Sequence, residues 1–271
     1  DVSQADWEKG IPVLDSKDQD PQKIEKRKAT EYCGKAVLNA LTKAVELYKK
    51  GQIEGFAFAP FNKTSLKLGG CLFESEHHYL ADLFHWTEPF GEINVVKDMW
   101  TTRTTSHIPI KDVSENLTVD RIVKAARLCH STLCKAGIKN PRIGVAALNP
   151  HCGEGGLCGR EELDVILPAI QVAKEMGIHA EGPFSSDILF IKAFKGDFEG
   201  VVTMYHDQGQ IALKLLGFDY GITIAGGLPA PIATCAHGTA YDIAGKGIAK
   251  TTAFENAVKM TARMALASRN I

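Results

Sequence analysis

The chain has 271 residues, 45% of them hydrophobic and 23% charged, with a formal net charge of −1. That length admits one large or two ordinary domains around a full core. Near-neutrality excludes the basic field of a nucleic-acid binder and the polybasic patch of a membrane anchor. No apolar run reaches the roughly 18 residues a membrane helix needs, and the polar start DVSQADWEKG is not a signal peptide. Seven scattered cysteines, none in a CxxC pair, predict mostly buried thiols in a reducing cytoplasm.

In chain order, residues 1–20 read as irregular. Alanine and leucine at helical spacing predict a long helix from about Pro21 to Lys50, stopped by Gly51. FAFAPF (56–61) predicts a buried strand ending at Pro60, and ESEHHYLADLFHW (74–86) a helix beginning near Ser75. INVVKDMW (93–100) predicts one strand, which TTSHIPIKDV (104–113) leaves. An amphipathic helix follows over 117–137, a strand over RIGVAAL (142–148), and a helix over 160–177 that Gly177 ends. IHAEG (178–182) predicts a strand, with a helix from about Ser186. FEGVVTMYHD (198–207) predicts a strand running into a loop, YGITIAGG (220–227) another strand, and AYDIAGKG with 252–269 helix. Strands alternating with helices predict an α/β protein with a largely parallel sheet.

His107, His151 and His206 each lie just past a predicted strand. Ligands of open α/β sheets bind at the carboxyl ends of strands, and three neutral imidazoles suit a divalent metal while leaving positions open for substrate. The competing reading is three separate turn residues. In ALNPHCGEGGLCGREE (146–161), Gly153, Gly155, Gly156 and Gly159 spell GxGGxxG, neither a GxGxxG fingerprint nor a Walker loop. His151 and Glu154 crowd the place a pyrophosphate would need, so a metal or substrate turn fits better than a nucleotide cradle. In YHDQGQIALKLLGF (205–218), the His206–Asp207 pair can hold a metal or steer a proton. Lys214 can meet an anion, or be an ordinary exposed helix lysine. In AHGTAYDIAGKG (236–247), a His–Gly–Thr turn is expected to open a helix whose free N–H groups take a phosphate or ribose, with Asp242 accepting from ribose hydroxyls.

NPHCGEGG, MYHDQG and HGTAYDIAGKG, with NK at 62–63 and SHIP at 106–109, resemble the PdxA family of 4-hydroxythreonine-4-phosphate dehydrogenases, from about residue 30 to the end. The HGTAYDIAGKG stretch also resembles isopropylmalate dehydrogenases. The resemblance implies a two-domain α/β fold of the isocitrate/isopropylmalate dehydrogenase-like type, with largely parallel sheets and a central cleft. Residues 1–66 and 207–271 would form an N-terminally incomplete first domain, and 67–206 the second. It further implies a homodimer acting on a small molecule, with no nucleic-acid or membrane partner. NAD, or NADP in its place, would bind without a GxGxxG. A divalent metal, zinc foremost with cobalt, manganese, magnesium and nickel as alternatives, would be held by His107, His151 and His206, the third from the partner subunit. Lys63, Asp187 and Asp207 match catalytic residues of the family, Lys214 a substrate-binding lysine, and His237, Gly238 and Asp242 the segment that touches NAD. The implied chemistry is oxidation of a secondary alcohol by hydride transfer, the metal lowering the hydroxyl's pKa, with loss of CO₂ from the keto acid as a further step.

The chain also departs from the family pattern. The N-terminal glycine/proline motif has no counterpart, which places roughly 80 residues of that pattern before Asp1. SEHH (75–78) stands where the family reads GHTE, so Glu76 replaces a substrate-contacting histidine and His77 the neighbouring threonine. Thr223 stands for a family asparagine and Ile232 for an arginine. Losing an arginine and a histidine while gaining a glutamate removes positive charge from an anion pocket, which argues against 4-hydroxythreonine 4-phosphate as substrate. The C-terminal motifs resemble the second PdxA group, which is tied to D-threonate or D-erythronate 4-phosphate. The alternatives are dehydrogenation of a cis-dihydrodiol carboxylate, a metal-dependent non-redox enzyme, and a sugar-acid-binding pseudoenzyme.

Overall fold

The structure, a computed structural model, describes residues 5–269. Helix α1 (Glu31–Lys49) begins where the Thr30 hydroxyl accepts from the Cys33 amide. This is ten residues later than the periodicity predicts. Ahead of it Pro21–Lys23 is a single 3-10 turn with no buried residue, so nothing packs a longer helix in place. Strand β1 (Phe56–Phe58), α2 (Lys63–Leu68) and α3 (Glu76–Phe84) follow.

The single strand expected over 93–100 is a hairpin. Strands β2 (Gly91–Val96) and β3 (Met99–Arg103) run antiparallel, turning at Lys97 and Asp98, with Lys97 at φ 56°. No glycine or asparagine marks that turn, which is why it reads as continuous strand. Next come α4 (Val113–Asn116), α5 (Val119–Lys135), β4 (Ile143–Ala146), α6 (Leu167–Glu175) entered through a π turn at Glu162–Ile166, β5 (Ala180–Phe184) and α7 (Ser186–Phe194). Strand β6 (Gly200–Thr203) feeds α8 (His206–Gly217), a helix where a loop was expected. Strands β7 (Ile222–Gly226) and β8 (Ile232–Cys235) and helix α9 (Thr252–Arg269) complete the described chain. Strand β8 hides behind the prolines of GGLPAP in the sequence. The helix expected over AYDIAGKG is only a 3-10 turn, Tyr241–Ile243, with Gly245 and Gly247 at positive φ just beyond it. The His–Gly–Thr turn therefore opens no helix.

The strands form one sheet in the order β1-β8-β7-β2-β3-β6-β4-β5. Pairs β1–β8, β3–β6, β6–β4 and β4–β5 are parallel; β8–β7, β7–β2 and β2–β3 are antiparallel. Side chains alternate across the sheet. On β6, Val202 joins a core with α5, α6 and α9, while Val201 faces Leu189 and Phe190 of α7 and Leu213 of α8. A third cluster joins Leu41 and Val45 of α1 to Leu80 of α3 and Ile232 of β8. Helices thus cover both faces and leave the sheet's edges to carry loops.

Candidate active site

Strands β3, β6, β4 and β5 are consecutive and parallel, so their carboxyl ends open on one edge of the sheet. His107 follows β3, His206 follows β6, His151 follows β4 and Asp187 follows β5. Residues far apart in sequence therefore leave the same edge. The His107 and His206 rings come to 5.6 Å between centroids. Asp207 Oδ1 accepts from His206 Nδ1 at 2.7 Å, which fixes that ring and leaves Nε2 for another partner. His151 is exposed and does not join them. Among the described residues, no three His, Cys, Asp or Glu side chains stand close enough together to hold a metal ion.

His151 opens a left-handed turn in which His151, Cys152 and Glu154 have φ of 51°, 55° and 44°. Each costs a non-glycine residue roughly 1–2 kcal/mol, so the surroundings must hold the turn. The buried Glu162 does so. Its Oε1 accepts from the amides of Leu148 (2.8 Å) and Asn149 (2.7 Å), and its Oε2 from Asn149 Nδ2 (2.9 Å). A Cβ on Gly153 would stand 2.7 Å from Glu162 Oε2, so glycine is required for the turn to close on the carboxylate. Gln208 holds the next loop: its Oε1 accepts from the Met204 amide, and its Nε2 donates to Ala147 O and Ser186 Oγ.

A cavity of about 830 Å³ is lined by Lys63, His77, Glu92, Arg103, His107 and Arg121, among others. His77 is 4% exposed, and neither ring nitrogen has a hydrogen-bond partner; its Nδ1 stands 3.7 Å from Glu92 Oε1. Arg103 Nη2 donates to Glu92 Oε2 at 2.5 Å. His77 foremost, with Arg103, holds the Glu92 carboxyl well below the usual carboxylate range against the opposing effect of burial. Glu76 stays off the cavity lining and keeps a buried, unpartnered Oε2.

Other expected site residues lie elsewhere. Ile232 is 1% exposed in β8 and packs in the core with Leu41 and Leu80, so it is a packing residue rather than a cavity wall. Thr223 is 7% exposed in β7, and its hydroxyl already accepts from Asn94 Nδ2 across the strand pair. Strand β8 runs antiparallel to β7, so His237, Gly238 and Asp242 leave the edge opposite to His107. Lys214 is exposed on α8, beside a small crevice bordered by Gly221 and Ala236. Glu92, Asn94, Arg103, Glu162 and Gln208 escaped the sequence reading. The one visible signal was Arg103, a lone charge in the neutral strand exit MWTTRTTSH.

A sequence model of the family described as "Pyridoxal phosphate biosynthetic protein PdxA" matches residues 2–261. The chain belongs to the PdxA family. It is 48% identical over 234 residues to the Pseudomonas aeruginosa PdxA relative named "Putative 4-hydroxythreonine-4-phosphate dehydrogenase 2", covering 85% of this chain and 69% of that one. It is 41% identical over 229 residues to the Oceanobacillus iheyensis "Putative D-threonate 4-phosphate dehydrogenase", covering 84% and 69%. The solved 4-hydroxythreonine-4-phosphate dehydrogenase from Burkholderia phymatum superposes with a TM-score of 0.82 at 35% identity, covering 97% of this chain and 80% of that one. This PdxA chain is a dehydrogenase with the isocitrate/isopropylmalate dehydrogenase-like fold of those neighbours. Among the described residues no helix is long and apolar enough to cross a membrane.

Proposed function

We propose that the chain oxidises the secondary alcohol of a four-carbon sugar-acid 4-phosphate, using NAD or NADP and a divalent metal such as zinc. The observation that carries the reading is the His107–His206 pair backed by Asp207, at the carboxyl edge of the sheet and bordering the cavity. The donor set fits an ion in part. Two imidazoles 5.6 Å apart, one oriented by a carboxylate, match a histidine site, and a third ligand would come with a second copy of the chain. Exposed apolar side chains support a homodimer, because each histidine segment carries at least one: Ile110, Leu157, and Ile211 with Leu215.

When bound, the ion supplies polarisation of the substrate hydroxyl and the nicotinamide accepts the hydride. The chain's own groups do the rest. Lys63 and Arg121 in the cavity attract the anionic substrate. Asp187 and Asp207 stand on the edge where a hydroxyl proton must leave. Gly238 and Asp242 offer an exposed backbone and carboxylate to the nucleotide. The domain division proposed with this reading cuts the sheet cleanly. Residues 1–66 and 207–271 supply β1, β8 and β7, and residues 67–206 supply β2, β3, β6, β4 and β5. Glu76 and His77 in place of the family pattern favour D-threonate or D-erythronate 4-phosphate over 4-hydroxythreonine 4-phosphate.

The test is metal content together with NAD reduction over D-threonate, D-erythronate and 4-hydroxythreonine 4-phosphates and a cis-dihydrodiol carboxylate. One metal per chain and turnover of a four-carbon sugar-acid phosphate are expected. Metal binding without hydride transfer to any nucleotide would sink the dehydrogenase chemistry. Preference for the dihydrodiol would overturn the substrate.

A further inference from the structure

Both histidine-bearing segments are tied to one buried side chain, Asn94 of β2. Arg103, at the end of β3, uses three separate nitrogens: Nε donates to Ser106 Oγ at 2.9 Å, Nη1 to Asn94 Oδ1 at 2.8 Å, and Nη2 to Glu92 Oε2. Ser106 immediately precedes His107, whose φ of 52° places it in the left-handed region. On the other side Gln210 Nε2 donates to the same Asn94 Oδ1 at 2.7 Å. Gln210 lies one turn after His206 on α8 and so shares its face. Asn94 completes its bonding by donating to Thr223 Oγ1 at 3.0 Å. One amide oxygen thus receives the loop that carries His107 and the helix that carries His206.

We propose that Arg103 and Asn94 are positioning residues that set the spacing of His107 and His206. The inference rests on the metal reading above. Lysine at position 103 would keep the charge beside Glu92 but could not reach three partners from three nitrogens. Outer groups that orient metal ligands typically change metal affinity by about 10–100-fold when removed.

The experiment is cobalt(II) titration of the full chain, read by the d–d absorption band and by calorimetry, with melting temperature and near-ultraviolet circular dichroism as fold controls. Arg103→Lys and Asn94→Leu are expected to weaken cobalt binding at least about tenfold and to alter the band. Asn94→Asp keeps the accepting oxygen and loses only the donation to Thr223, so it is expected to bind like the wild type. Gln210→Ala removes a single bond from a partly exposed helix side chain and keeps the fold. It is expected to weaken binding in the same direction, which secures the test should the buried variants not fold. Wild-type affinity and spectrum in Arg103→Lys and Gln210→Ala would overturn the inference while leaving the metal site standing. A wild-type chain that binds no cobalt would overturn both.

Discussion

Glu162 carries the geometry of the glycine-rich turn through three accepted hydrogen bonds. Replacing it with alanine leaves two amides and a carboxamide without their acceptor. The expected loss is about 2–4 kcal/mol in urea unfolding, at the upper end for buried donors left unpaired; loss below about 0.5 kcal/mol would show that the turn holds itself. Glu92 is expected to act through pH. Its folded-state pKa lies below the ordinary value of 4.5, so its contribution is fully present above that value. It fades as pH falls through the depressed folded pKa. The urea-midpoint gap between wild type and Glu92→Gln should hold steady above pH 4.5 and narrow below it. A gap that widens in acid would refute the assignment. At this scale the sequence was partly legible. His107, His151 and His206 announce themselves by residue type and by following apolar runs. Glu92 and Asn94 do not, because their meaning comes from Arg103 across the hairpin and from Gln210 more than a hundred residues away.

Elements with strong local signals were readable, and those defined by pairing were not. Thr30, Gly51 and the period of α1 are all in the text, yet its start was set by a cap and by the absence of packing before it. The β2–β3 hairpin was missed because Lys97–Asp98 lacks turn glycines, and β8 because β7 and β1 define it from either side. Gly159 belongs to this scale. Its φ is 115°, and a Cβ there would lie 2.4 Å from Asn149 Nδ2. Gly159→Ala should therefore disturb the Asn149–Glu162 contact and the entry to α6 together. We expect a lowered melting temperature and altered chemical shifts at His151, with β1 and α1 unaffected. Changes confined to residue 159 would contradict that linkage.

For the whole molecule, composition and alternation gave the α/β class, and the order of strands explains why the candidate residues meet. Neither revealed that the antiparallel β2 and β7 interrupt the parallel order, which sends the 237–242 segment to the far edge. Ile211 and Leu215 lie one turn apart on α8 and are 59% and 84% exposed. If a second copy covers them, the double change to aspartate should give a monomer by light scattering while the far-ultraviolet circular dichroism stays native. A dimer that survives both charges places the interface elsewhere. Within one chain, two imidazoles gather and the third stands apart. A site assembled that way can be repaired by exchange. His151→Ala and His206→Ala preparations, each inactive alone, should regain part of the wild-type rate when their subunits are unfolded, mixed and reassembled, because a hybrid pair then contains one complete set of three.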